Sequence, residues 1–498
     1  MIRLKSLELF RFKNVEHGKI DFSELPSGGS ITGIYGQNGS GKTAVVNALD
    51  CLRRLIAGHP QDRLSSDYLV NQSDNLEIIA QYTISYPAKD ACGEAEVGYR
   101  VRLAKGEGNA LRPMSETLTF KPENGSKRVL IDHTVVSPET KTAFEDGSIA
   151  SWSYAPKGRW TSIKAFSSEV ERYFTLGEGA SQNANTSFIF SREFGRGLLE
   201  FARMSQDSET GEYKEGIPAA VRDASAEVVT PLLIITSRLI DYSRKNMFVL
   251  PTAQSSAISF NLMYLSTVAD DARLGLHSFM GFDTDAPCNV SIEQFDLLNK
   301  TATRINGVLS ALIPDYSIQV KDLGPVVLEQ GEEGRRIELM SKRSDKLIPF
   351  RCESEGIQNI TGITSLLIDV YNNENFCLVI DELDSGVFEF LLGELLEVLS
   401  QKAKGQLIFT AHNLRALETL PSKCLVFTTS NPENRFVRFK GVKSSNNLRD
   451  LYLRAINLGG QDEEIYRPTD RFAIDSAFFR AGHQDERSFE ELLESLEE

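Results

Sequence analysis

The sequence predicts an α/β protein, and three observations carry that prediction. An apolar run, Ile31 to Tyr35, leads into GQNGSGKT (Gly36 to Thr43) and then into a helical pattern with Val45, Val46, Leu49 and Leu52 on one face, so strand, glycine-rich loop and helix follow in order. Two later apolar runs, 376–380 and 406–410, each end at chemistry-bearing residues. Between them and the first run lie alternating stretches that read as an antiparallel β layer, followed by a region of helical periodicity. The expected architecture is a P-loop NTPase head with an antiparallel β layer and an inserted helical lobe.

Residues 2–12 alternate as Ile2, Leu4, Leu7 and Leu9 with charges between, and Ile20 with Phe22 suggests a strand returning antiparallel. After the loop and its helix, strand-like runs at Leu76 to Ile84, Val97 to Leu103, Thr117 to Phe120 and Val129 to Ile131 are separated by Gly, Pro and Asn turn signals. From about residue 200 to 314 the pattern is helical, notably Val228 to Tyr242 and Phe295 to Leu312, with Met204 to Gly216 an exposed loop. Strands return at Ile318 to Lys321 and Arg336 to Met340, and a dense α/β region runs from Cys352 to Thr428. Neither sustained heptads nor an internal repeat is evident. The chain therefore divides into an N-terminal ATPase segment (1–195), a helical lobe (196–345), a C-terminal ATPase segment (346–455) and an acidic tail (456–498) expected to end in an amphipathic helix.

Length and composition bound the function. A chain of 498 residues with 41% hydrophobic content suits several domains with sizeable cores, and its net charge of −15 disfavours broad contact with nucleic acid. The six cysteines are scattered without a CxxC pair and read as reduced thiols. Without a signal-like N-terminus or a membrane-length apolar run, the expected compartment is the cytoplasm and no membrane partner is expected.

The chemistry sits at the strand ends. Gly36, Gly39 and Gly41 let backbone N–H groups turn toward phosphates, the helix N-terminus adds its positive end, Lys42 supplies a cation, and Thr43 offers its hydroxyl to Mg²⁺. In FCLVIDELDSG (Phe376 to Gly386) the strand ends in two carboxylates. Asp381 suits Mg²⁺, and Glu382, one residue on, suits acceptance of a proton from an attacking water. Alone, the pair also reads as an ordinary acidic turn. The second strand ends in TAHN, whose His412 can contact a γ-phosphate or serve as a capping or core histidine. Ser354 and Gly356, in ESEG ahead of a helix with Ile357, Ile360, Ile363 and Leu367 on one face, read either as a plain N-cap or as a phosphate-contacting helix start.

In that order, with LELFRFKNVEHGKIDF at the N-terminus and NNLRDLYLRAINLGG near the end, these motifs resemble the OLD-like, AAA_15-type ABC ATPases, relatives of SMC heads and RecF. The resemblance implies an ABC-type P-loop NTPase head that hydrolyses ATP with Mg²⁺. Ser354 and Gly356 would contact a γ-phosphate held by another subunit, so at least a homodimer is implied. Lys13 and Asn14 fall at nucleotide-contacting positions, Asn38 and Ser40 lie in the phosphate loop with Asn38 facing the γ-phosphate, and Asp384 lies in the segment that touches the opposite subunit. The chain departs from the pattern in SGVFEF after the acidic pair and in lacking a clear glutamine-loop residue; Gln81 and Ser191 to Glu193 are the candidates. No Toprim-like acidic cluster follows His412, so the expected effector, a nuclease or toxin, is a separate protein, as in two-gene anti-phage systems of the PARIS or Septu kind. Such systems add a phage-encoded trigger to the expected partners, and DNA stays open through a RecF-like alternative.

Overall fold

The computed structural model describes residues 1–60, 68–69, 73, 75–87, 92–105, 110–136, 151–207, 210–251, 262–267, 278–283, 286–329, 331–439, 447–459, 461–467 and 469–482. The chain opens with β1 (Ile2–Phe12), β2 (Val15–Asp21) and β3 (Ser30–Tyr35), passes through the glycine-rich loop into α1 (Lys42–Ile56), and continues as β4 (Asn75–Pro87), β5 (Cys92–Lys105), β6 (Leu111–Pro122), β7 (Arg128–Val136) and β8 (Ser151–Ala155). Helices α2 (Lys157–Lys164), α3 (Ser168–Ala184), α4 (Arg192–Ser205), α5 (Ala219–Ala224) and α6 (Thr230–Lys245) lead to β9 (Met247–Leu250). A hairpin of β10 (Leu262–Thr267) and β11 (Ser278–Asp283) precedes β12 (Cys288–Ser291), α7 (Ile292–Leu312), β13 (Tyr316–Val327), β14 (Glu333–Arg343) and β15 (Lys346–Pro349). The last part holds α8 (Glu355–Asn372), β16 (Cys377–Ile380), α9 (Glu389–Lys402), β17 (Gln406–Thr410), α10 (Ala416–Thr419), β18 (Leu425–Thr428), β19 (Phe436–Val437), α11 (Leu448–Leu458) and α12 (Arg471–Gly482).

Two large sheets organise the molecule. One has the order β19-β18-β3-β17-β16-β9, parallel throughout except for the β19 edge. Every residue of β3, β16, β17 and β18 is buried, as expected when helices cover both faces of a parallel sheet. The other is an antiparallel sheet of order β2-β1-β4-β5-β6-β7-β8. Helix α1 lies in a shared core where Val45, Leu49 and Leu52 meet Leu7, Ile78 and Tyr99 of that layer. A second core joins α8 and α9 to the parallel sheet through Leu366, Val370, Leu396 and Leu407. A third, smaller core packs α7 on β12, β13 and β14 through Ile305, Leu309, Ile318 and Ile337. The fold is α/β, with an antiparallel β layer beside the parallel sheet that carries the glycine-rich loop.

Most expected strands are present, somewhat longer than their apolar runs. The stretch 200–314 is not helical throughout. It returns one short strand, β9, to the edge of the parallel sheet, where Met247 pairs with Cys377 and Leu250 with Ile380, and it contains β12. A four-residue run such as MFVL is too short for periodicity to separate strand from helix. Helix α7 ends at Leu312 as the spacing suggested but begins earlier, at Ile292, behind a capping box between Ser291 and Gln294. The expected terminal helix at the end of the tail lies outside the described residues; α12 precedes it, with Phe478 and Phe479 exposed. Among the described residues no helix is long and apolar enough to cross a membrane.

Candidate active site

Parallel pairing brings the C-terminal ends of β3, β17 and β16 side by side, with Phe409 opposite Gly33 and Ile380 opposite Phe409. Loops at that edge of an open parallel sheet form its natural ligand crevice. A cleft of about 540 Å³ opens there, lined by Lys13, Asn14, Asn38, Gly39, Gly41, Lys42, Thr43, Ala44, Asp381, Glu382 and His412. Residues far apart in sequence thus converge on one cavity.

The loop is braced from behind. Gly36 has φ 157°, and a Cβ there would lie 1.6 Å from Thr428 Oγ1, so only glycine allows the loop to lie against β18. The Ser40 hydroxyl donates to the Gln37 carbonyl at 2.5 Å and lies 2.5 Å from Thr428 Oγ1. Its side chain therefore braces the loop, and neither Gly36 nor Ser40 is among the cleft-lining residues. Gly39 and Gly41 hold φ 75° and 99°, the left-handed backbone that turns successive N–H groups inward. Lys42 Nζ donates to the carbonyls of Gly36 at 2.8 Å and Gln37 at 3.1 Å. Burial lowers the Lys42 pKa, and the nearby carboxylates of Asp381, Glu382 and Asp384 act against that shift.

The opposite wall carries the acids. Asp381 is 1% exposed, and its Oδ1 accepts a hydrogen bond from Thr410 Oγ1 at 2.5 Å. The same Thr410 oxygen accepts from the Glu382 N–H at 2.8 Å, which fixes the backbone between the two acids. Glu382 has φ 55°, an unusual conformation for a residue with a side chain, held by the Thr410 hydrogen bond to its N–H. Asp384 Oδ2 accepts from the backbone N–H groups of His412 at 2.8 Å and Asn413 at 2.6 Å, anchoring the histidine loop within the same chain.

Lys13 and Asn14 lie on the cleft wall. The Lys13 ammonium sits 4.4 Å from the centre of the Tyr68 ring, and burial lowers its pKa against the raising influence of Asp381. The Asn14 amide bonds the Gly39 carbonyl, and Arg435 donates to the Asn14 carbonyl at 2.6 Å and the Thr429 carbonyl at 2.7 Å. Gln37 also pairs with the backbone of Arg467, whose N–H donates to Gln37 Oε1 at 3.2 Å.

Ser354 and Gly356 lie outside the cleft. Ser354 occupies the N-cap position of α8 without a side-chain capping hydrogen bond; its carbonyl accepts from Ile357 N and Gln358 N, both at 3.0 Å. The two glutamine-loop candidates are not cleft residues either. Gln81 lies against Gly98 across the antiparallel sheet, and the Ser191 hydroxyl caps α4 by accepting from Phe194 N at 3.2 Å. Sequence reasoning missed Thr410, Thr428 and Arg435, which touch the loop or acids only because distant strands become neighbours.

This donor set suits a nucleoside triphosphate with Mg²⁺. Glycine-shaped N–H groups and Lys42 would hold phosphates, while the Thr43 hydroxyl and buried Asp381 would hold a hard cation that neutralises developing charge.

A family model described as an AAA domain matches residues 6–146. No curated protein matches the chain. Among solved structures, it resembles the Smc head domain of Pyrococcus furiosus with an extended coiled coil, bound to the C-terminal domain of ScpA, at 13% identity over 88% of this chain and 96% of that chain, with TM-score 0.38. It also resembles the SMC head domain from Thermotoga maritima at 14% identity, covering 88% and 99% of the two chains, with TM-score 0.34. The recombination mediator RecF with ATP is similar at 12% identity, covering 82% and 92%, with TM-score 0.31. At TM-scores this low the function rests on the residues of the cleft. By its own topology the chain is an α/β fold with a glycine-rich phosphate loop at the edge of a parallel sheet, and its residues 6–146 match the AAA domain family.

Proposed function

We propose that this protein binds and hydrolyses ATP with Mg²⁺ at composite sites between two or more copies, and that it serves as the regulatory scaffold of a bacterial anti-phage system controlling a separate nuclease or toxin. The carrying observation is the convergence of Lys42, Thr43, Asp381, Glu382 and His412 on one cleft while Ser354 and Gly356 stand outside it. In this reading the loop N–H groups and Lys42 orient the phosphates, Asn38 and His412 face the terminal phosphate, and Glu382 accepts the proton of the attacking water. Thr410 holds Asp381 and the Glu382 backbone in their relative positions. Ser354 and Gly356 complete the cleft of a second copy through the N-terminus of α8. Segments 1–195 and 346–455 form the head, with β9 contributed from 196–345, and the exposed Phe472, Phe478 and Phe479 of α12 offer surface for a partner such as the effector or a phage-encoded trigger.

The net charge of −15 supports a protein partner over nucleic acid. Purification from the native host at physiological salt tests the proposal. The expected result is co-recovery of a nuclease-like or toxin-like protein in fixed stoichiometry. Recovery of the ATPase alone, binding duplex DNA tightly at about 0.15 M salt, would instead establish the RecF-like repair alternative.

A further inference from the structure

The start of α8 is joined to the turn after the acidic pair within the same chain. A Cβ at Gly356 would lie 1.9 Å from the Gly386 carbonyl oxygen, so the two backbones touch with no room for a side chain. Gly386 itself has φ 69°. Next along the helix, Asn359 donates from Nδ2 to the Ser385 carbonyl at 2.9 Å. Ser385 N–H donates in turn to the Glu382 carbonyl at 3.0 Å. Glu382, Leu383 and Ser385 also line, with Asn359 and Ile363, a cavity of only about 20 Å³ between the turn and α8. A short path of backbone contact therefore runs from Gly356 and Asn359 to the residue assigned as the proton acceptor.

We propose that Asn359 is a positioning residue that transmits the state of the α8 N-terminus to Glu382 of its own chain, so that nucleotide engaged by Ser354 in the neighbouring site sets the geometry of the water-polarising carboxylate here. This rests on the composite-site reading and adds its regulation. Close packing makes the connection stiff: interdigitated backbone at van der Waals contact has no slack to absorb a shift of the helix end. Polar coupling through a buried amide adds direction, since the Ser385 carbonyl follows its donor. The consequence is coupled turnover at paired sites, with each carboxylate better aligned when the opposite cleft is filled, so that a lone complete cleft turns over more slowly than one of a filled pair.

The experiment compares wild type, Asn359→Ala and Asn359→Gln by ATP affinity, kcat, dependence of rate on ATP concentration, and thermal stability. Asn359→Ala is expected to bind ATP as wild type does, to lose about 10- to 100-fold in kcat because misplacing a reacting group by about 1 Å costs on that order, and to lose cooperativity in ATP. Asn359→Gln, which keeps an amide donor, should recover much of both. Wild-type kcat and cooperativity in Asn359→Ala would overturn the assignment. So would a parallel fall in affinity, rate and stability that Gln does not reverse, because that marks a merely structural residue. Mixed Lys42→Ala and Ser354→Arg chains separate the two layers. Activity regained by the mixture alongside an unaltered Asn359→Ala overturns the Asn359 role alone. No activity despite proven mixing removes the composite site and this role with it.

Discussion

Lys42 and Glu382 face each other across the cleft, yet their chemistry predicts different failures. Lys42 is a buried cation whose ammonium is held by two loop carbonyls, 2.8 and 3.1 Å away, where phosphate oxygens would take their place. Its loss removes charge from bound phosphate, so Lys42→Ala is expected to weaken ATP binding. Glu382→Gln keeps size and hydrogen bonding but cannot accept a proton, so binding should persist while turnover falls by about 10²- to 10⁴-fold. Equilibrium titration with a fluorescent ATP analogue and single-turnover phosphate release measure the two effects separately. Hydrolysis by Glu382→Gln at the wild-type rate would remove Glu382 from catalysis. Both residues were legible in the sequence, Lys42 because it closes the glycine-rich loop and Glu382 because it sits where an apolar run stops, a pattern that strand-end chemistry imposes locally. Thr410 was not. Its two hydrogen bonds to Asp381 and Glu382 depend on β17 lying beside β16, and strand order leaves no mark on a lone threonine.

At the scale of elements, the antiparallel layer and the helices beyond it meet in an aromatic cluster that encloses an ionisable ring. His133 of β7 is fully buried, stacked between Trp152 at 4.2 Å and Phe188 at 3.9 Å, with neither ring nitrogen hydrogen-bonded. Its nearest carboxylate oxygen, on Glu178 of α3, is 3.8 Å away, too far for a hydrogen bond. Burial lowers the His133 pKa; Glu178 and Glu116 oppose that shift and Lys164 adds to it. The folded state therefore keeps the ring neutral where the unfolded chain, titrating near the ordinary value of about 6.5, takes up a proton. Stability is independent of His133 above that value and falls as pH drops below it, by at most about 1.4 kcal/mol per pH unit. Burial pushes the Glu178 pKa up, but partners that include the Tyr154 hydroxyl lower it on balance, so its contribution is lost only as pH falls from the ordinary carboxylate value downward, below the window of His133. Melting temperatures between pH 7.5 and 5.5 should decline in wild type and decline less in His133→Phe, which keeps the stack without the proton. Equal slopes would show that His133 does not carry the dependence. The strands of this layer were readable from alternation, whereas helices α2 to α4, which complete the cluster, were not assigned. The buried faces, Val170, Phe174, Gly177 and Ser181 in α3 and Phe194, Gly197, Leu198 and Phe201 in α4, keep helical spacing, but the glycines and serines on them thin the apolar signal.

For the whole molecule, the decisive feature is that the residues proposed for the active site lie in two places on one chain. The phosphate loop, acids and histidine share a cleft, while Ser354 and Gly356 begin α8 outside it, and contact between Gly356 and Gly386 fixes that helix start to its own chain. The order of motifs along the sequence suggested this division, but no pattern in the sequence could report which elements touch after folding. If the second part serves a neighbouring copy, damage to the two parts should complement. A Lys42→Ala chain has a defective loop and an intact Ser354; a Ser354→Arg chain has the reverse, with an arginine too large for the helix start to meet phosphate. Each alone should be inactive. In a mixed dimer, one of the two clefts pairs an intact loop with an intact Ser354, so a mixture that assembles at random should regain hydrolysis above either parent, with about one quarter of the wild-type rate as the ceiling if half the dimers are mixed and less where the dead opposite cleft slows the complete one. The measurement is steady-state phosphate release as a function of mixing ratio, with differently tagged chains to prove that heteromers form. Activity that peaks near equal proportions supports shared sites, whereas a flat baseline in proven heteromers confines the complete reaction to a single chain and rules out the composite arrangement.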